Sequence, residues 1–145
     1  TYALSSGYYD EYYIRALKIR RIIQDNFKDA FKEVDFIFSP TSPTTAFNLG
    51  EKTSSALEMY LSDVYTTPVN LAGLPAISIP VGFNNELPVG MQIIGDYFSE
   101  SKILNVANYF QNETDWHNYI PKEFNHEWLG KRNWSRNTCS INDKE

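Results

Sequence analysis

The sequence predicts an α/β protein in which helices cover a small sheet. Apolar residues recur at helical spacing from roughly Asp10 to Lys32. Short β-branched and aromatic runs of strand length follow. The resulting order is helix, strand, short helix, two strands, helix, which suits a layered α/β arrangement.

Each element has its own warrant. Tyr9, Tyr13, Ala16, Leu17, Ile23, Phe27 and Phe31 fall near one helix face, while Lys18, Arg21, Asp25, Lys28, Asp29 and Lys32 populate the other. Val34–Ser39 reads as a short buried strand stopped by Pro40. Thr41–Gly50, with Pro43 and Gly50, reads as a loop at the strand's C-terminal end. A short helix is expected over Ser54–Val64, with Ser54 or Ser55 as N-cap. Thr66–Pro80 reads as a constrained loop delivering a strand. Pro68 and Pro75 restrict φ and remove two donors, and Gly73 supplies freedom between them. Ala76–Phe83 places Ile77, Ile79 and Val81 on one face. Asn84-Asn85-Glu86 is a turn signal, and Val89–Gly95 completes a hairpin. Ser99 reads as the N-cap of a final helix with Ile103, Val106, Ala107 and Phe110 as its apolar stripe.

Composition narrows the function. A 145-residue chain, 42% hydrophobic and 15% aromatic, suffices for a packed body. Its net charge of −5 argues against a general phosphate-binding surface. A lone cysteine, Cys139, excludes an intramolecular disulfide, and no apolar run approaches a membrane span. The chain starts abruptly at Thr1 without methionine, which suggests a fragment. From about Asn112 the periodicity fades into a tail rich in Asn, Lys, Arg and Trp. Residues 1–117 are taken as the structured part and 118–145 as a tail.

Self-sufficient chemistry is absent from the motifs. There is no phosphate loop, dinucleotide fingerprint or nucleophile elbow. His117 and His126 have no carboxylate or cysteine at metal spacing, so no metal site is assigned and ordinary surface histidines are the simpler reading. Ser5 and Ser6 lack a base and suit helix capping better. Asn112-Glu113-Thr114 and Asn133-Trp134-Ser135 fit a glycosylation sequon that is frequent by chance. The basic cluster Lys131, Arg132 and Arg136, interleaved with Trp128 and Trp134, fits either an RNA contact or a partner-docking tail. Asp63 stands apart: a carboxylate after the short helix opposes that helix's dipole. It is a solvated side chain, one bonded to the following loop, or a group that holds a ligand's ammonium.

Four ordered blocks carry a family resemblance. They are Ala3-Leu4-Ser5-Ser6-Gly7-Tyr8-Tyr9-Asp10, Ser39–Phe47 (Ser-Pro-Thr-Ser-Pro-Thr-Thr-Ala-Phe), Thr67–Pro75 (Thr-Pro-Val-Asn-Leu-Ala-Gly-Leu-Pro) and Pro88–Gly95 (Pro-Val-Gly-Met-Gln-Ile-Ile-Gly). Over roughly Thr1–His117 the chain resembles the amidase-signature family. Within that family it is most similar to the A subunits of glutamyl-tRNA(Gln) amidotransferases. The resemblance implies the C-terminal portion of the amidase-signature fold, a mixed β-sheet covered by helices and incomplete as a domain. Such enzymes hydrolyse glutamine with a Ser–cis-Ser–Lys triad. No counterpart of the triad's Gly/Ser-rich signature occurs here, so no catalytic residue is assigned in this chain, which by itself is expected to be inactive.

The resemblance also implies roles and partners. Asp63 would hold the α-ammonium of glutamine, and Asn70 and Gly73 would help to form the pocket. The arginine expected on the α-carboxylate has no match here. Arg15, Arg20 and Arg21 belong to the amphipathic helix and are not assigned to that task. The B and C subunits of the amidotransferase, glutamine and Glu-tRNA(Gln) are the implied partners. ATP and Mg are expected at the partner, with no cofactor on this chain. The implied compartment is the cytoplasm or an organellar matrix. The alternatives are a fragment of a tRNA-independent small-molecule amidase and a non-catalytic binding module with an aromatic tail.

Overall fold

A computed structural model describes residues 12–50 and 56–120. Helix α1 (Ile14–Ala30) leads into strand β1 (Phe36–Pro40), and after the following loop come two six-residue helices, α2 (Ala56–Leu61) and α3 (Thr67–Ala72). Strands β2 (Ala76–Asn84) and β3 (Leu87–Gly95) form the hairpin, helix α4 (Glu100–Glu113) follows, and a single 3-10 turn spans Trp116–Asn118. Among the described residues no helix is long and apolar enough to cross a membrane. The α/β reading therefore holds.

The three strands form an antiparallel sheet in the order β1-β3-β2, so the last strand in sequence is central. Phe36 pairs with Gly95 and Pro40 with Met91, while Ala76 pairs with Ile94 and Asn84 with Leu87. A bulge between Pro80 and Gly82 bends β2. The two turn residues, Asn85 (φ 50°) and Glu86 (φ 66°), both have positive φ, the conformation that matches the twist of a tight hairpin.

Alternation along the strands sorts the two faces. On one face Ile79 and Ile93 pack with Ile103 and Ala107 of α4, and Phe36, Ile77, Val81, Met91, Val106 and Phe110 surround them. The stripe expected for α4 is thus the face it buries. On the other face lie Ile94, Gln92 with its cross-strand partners Ser39 and Ser78, and the segment that carries α3. Beyond α4, the rings of Trp116 and Tyr119 pack on Phe83 with centroids 6.1 and 5.5 Å away. Ordered packing therefore reaches residues just past the fading of the periodicity, and residues 121–145 lie outside the described ones.

Four expectations need correction or trimming. Residues 67–72 form helix α3 where a loop was expected. Pro68 stands in the helix's first turn, where its missing N–H has no intrahelical acceptor to lose. Six residues are also too few to display a helical period. The strand expected at Val34–Ser39 runs over Phe36–Pro40 at the sheet edge and is only half covered, with Phe38 51% exposed. An edge position also accommodates Pro40. The helix expected at 54–64 is confined to Ala56–Leu61, and Ser54 and Ser55 lie outside the described residues. Ser99 is the N-cap position of α4, yet its hydroxyl donates back to the Asp96 carbonyl at 2.6 Å and caps no N–H.

Candidate functional site

The segment from α2 through α3 carries all three candidate site residues. Asp63 lies in the turn between the two helices. Its N–H donates to the Tyr60 carbonyl at 3.2 Å, and its own carbonyl accepts from the Thr66 and Thr67 N–H groups at 3.2 and 2.9 Å. The main chain at Asp63 is thereby fixed on both sides. Its carboxylate is exposed and forms no hydrogen bond or ion pair among the described residues. A carboxylate on a fixed backbone with no internal partner is available to an external cation or ammonium group.

Asn70 and Gly73 serve the helix that follows. The Asn70 side-chain amide donates to the Thr66 carbonyl at 2.9 Å, one turn back, beside the main-chain bond to the same oxygen at 3.1 Å. Gly73 closes α3 in the left-handed conformation (φ 76°, ψ 32°). Its N–H donates to Asn70 and the Leu74 N–H to Val69, the Schellman pattern in which glycine avoids the Cβ penalty. Both residues shape the segment by these local bonds.

The carbonyl end of α3 is held from outside. Arg20 Nε donates to the Leu71 carbonyl at 2.7 Å, and Gln24 Nε2 donates to Ala72 at 3.2 Å. The Tyr97 hydroxyl donates to the same Ala72 carbonyl at 2.8 Å. Helix ends leave carbonyls without intrahelical donors, and these three side chains supply them. Arg20 is thus occupied with fold. Arg21 pairs with Asp25 at 3.3 Å within α1.

A polar row crosses the sheet beneath this segment. Gln92, 4% exposed, sits at the middle of β3 and donates from Nε2 to Ser39 Oγ at 2.8 Å and to the Tyr65 carbonyl at 2.9 Å. Thr41 and Ser78 share a hydroxyl–hydroxyl bond of 2.7 Å, and a Cβ at Gly90 would stand 3.0 and 3.1 Å from those same two oxygens. Among the described residues no base hydrogen-bonds these hydroxyls, so the row contains no activated nucleophile. The sequence reading missed Gln92. The available signal was a lone amide inside the apolar run Val89–Gly95, because a buried polar group in a central strand requires partners.

An open cleft of about 770 Å³ lies beside the row, where the loop after β1 folds over the hairpin; Thr41, Thr45, Phe47, Ser78, Asn84 and Val89 contribute to its lining. Asp63, Asn70 and Gly73 do not line it. The Asp63 carboxylate and this cleft are separate features of the described residues.

The sheet, its flanking helices and the motif-bearing segment place the chain in a known class. The chain belongs to the amidase family, whose family model, described as Amidase, matches residues 1–104. It is 62% identical over 124 residues to the A subunit of the glutamyl-tRNA(Gln) amidotransferase of Thioalkalivibrio sulfidiphilus, an alignment covering 86% of this chain and 26% of that protein. The corresponding protein of Nitrosococcus oceani is 63% identical over 121 residues, covering 83% of this chain and 25% of its own length. The crystal structure of the A subunit of the Thermotoga maritima glutamyl-tRNA(Gln) amidotransferase superposes with a TM-score of 0.70 at 45% identity, over 78% of this chain and 25% of that one. A 6-aminohexanoate cyclic dimer hydrolase superposes with a TM-score of 0.64 at 25% identity, over 71% of this chain and 24% of that one. The chain spans about a quarter of the length of the curated relatives it matches.

Proposed function

We propose that this chain is the C-terminal part of the glutamine-hydrolysing A subunit of a glutamyl-tRNA(Gln) amidotransferase, and that it supplies one wall of the glutamine pocket. The observation that carries the reading is the 62% identity to a protein of that name across most of the chain. The small-amide hydrolase with a similar fold reaches only 25%, which favours the amidotransferase over the tRNA-independent alternative. The nucleophilic triad belongs to the remainder of the full-length protein. The described residues contribute binding and shape, and the chain alone has no turnover.

In this reading Asp63 receives the α-ammonium of glutamine, and its unpartnered carboxylate on a fixed turn supports the assignment. The serine of the remaining part of the protein attacks the side-chain amide carbon, the C–N bond breaks to release ammonia, and water hydrolyses the resulting acyl-enzyme to glutamate; the B subunit uses the ammonia on activated Glu-tRNA(Gln). ATP and Mg act at that partner, and the C subunit supports the assembly. Asn70 and Gly73 keep α3 in the shape that carries the pocket wall.

The test is Asp63→Ala in the full-length protein. If bound substrate buries the charge pair, kcat/KM for glutamine falls by an amount equivalent to about 2–5 kcal/mol. Unchanged KM and kcat would remove Asp63 from the pocket. Co-purification of the full-length protein with B and C subunits separates the amidotransferase from a free-standing amidase.

A further inference from the structure

We propose that Gln92 is a positioning residue for the Asp63 carboxylate, acting through the Tyr65–Thr66 peptide; this rests on the assignment of Asp63 to an ammonium group. Among the described residues, Gln92 is the one buried polar side chain. It lies on the central strand, on the sheet face opposite α4. A buried amide carries a desolvation cost that an apolar residue of the same volume would avoid. Both donors of that amide are used: one bonds Ser39 within the sheet, and the other reaches out of the sheet to the Tyr65 carbonyl at 2.9 Å.

The Tyr65 carbonyl and the Thr66 N–H belong to one planar peptide. Gln92 holds its oxygen, and its N–H donates to the carbonyl of Asp63 at 3.2 Å. A rigid plane therefore links the sheet to the residue that bears the carboxylate, with a single hydrogen bond on each side. The next bond, from the Thr67 N–H to the same Asp63 carbonyl at 2.9 Å, starts α3. The sheet thereby sets the height and tilt of the turn. Loss of the Gln92 bond leaves the turn's own hydrogen bonds intact but releases its tilt against the sheet, and with it the direction of the Asp63 carboxylate.

The experiment uses the full-length protein with its partner subunits and measures glutamine hydrolysis. Gln92→Met keeps the volume and removes both donors; Gln92→Glu keeps the shape, sets an acceptor against the Tyr65 carbonyl, and serves if the methionine variant fails to fold. The expected result is a KM for glutamine raised about tenfold, the scale of one lost buried hydrogen bond, with kcat changed less than about twofold. Ser39→Ala, which removes only the partner within the sheet, should leave KM within about twofold. In an Asp63→Asn background the Gln92 substitution should add nothing, since both act on one contact. Hydrogen exchange at the Thr66 and Thr67 amides should quicken in the Gln92 variants and not in Asp63→Asn. If Asp63→Asn raises KM while Gln92→Met does not, or if the two effects multiply, the positioning role is overturned and Asp63 keeps its own. A Ser39→Ala effect equal to that of Gln92→Met overturns it equally, by reducing Gln92 to sheet packing. An unchanged KM in Asp63→Asn removes the Asp63 assignment and this role with it.

Discussion

At Gly95 the hairpin and α4 approach so closely that one methyl group has no place. A Cβ there would overlap Ser99 Oγ and stand 2.9 Å from Ile103 Cδ1. Ile103 is a buried member of the core and cannot yield without opening it. Gly95→Ala should therefore destabilise the full-length protein by about 1–3 kcal/mol, the usual cost of overpacking. An unchanged melting temperature would mean that α4 does not depend on that contact. Gly73 differs: a Cβ there meets nothing within 4 Å, so its requirement is the positive φ alone. Of these individual residues, Asp63 stood out in the sequence because charge placement is a local property. Gln92 did not, because its significance is a bond to a carbonyl 27 residues away.

The hairpin is the element whose local chemistry is least settled. Asn85 suits a positive φ, but Glu86 at φ 66° carries a Cβ that crowds its own backbone. Glu86→Gly should raise hairpin stability by up to about 1 kcal/mol, read as a higher melting temperature of the full-length protein. A lower one would show that Glu86 makes a contact worth more than the strain. The hairpin was legible because its turn residues and alternating runs are adjacent in sequence. Helix α4 was legible because fourteen residues display several periods of the apolar stripe. Helix α3 was not. It has six residues, an early proline and a terminal glycine, and those signals equally describe a loop; Arg20, Gln24 and Tyr97, from α1 and the turn before α4, hold its end.

At the scale of the molecule, the buried apolar set is small: Val69, Ala72, Ile79, Ile93, Ile94, Ile103 and Ala107 among the described residues. Helix α1 buries no residue, and Ile19 and Ile22 are 58% and 60% exposed. With so little burial among its described residues, the chain expressed alone should bind a hydrophobic dye and melt broadly. A sharp, cooperative melt without dye binding would sink that expectation. The α/β class, the hairpin, the stripe of α4 and the likeness to amidases were all determined by the sequence, because each rests on short-range pattern or on motifs in order. Tertiary structure alone decided that β3 lies between β1 and β2, that Phe38 stays half uncovered, and that Gln92 reaches the turn of Asp63. Strand order and long-range hydrogen bonds depend on which surfaces meet. A one-dimensional pattern specifies the surfaces and leaves their pairing to the fold.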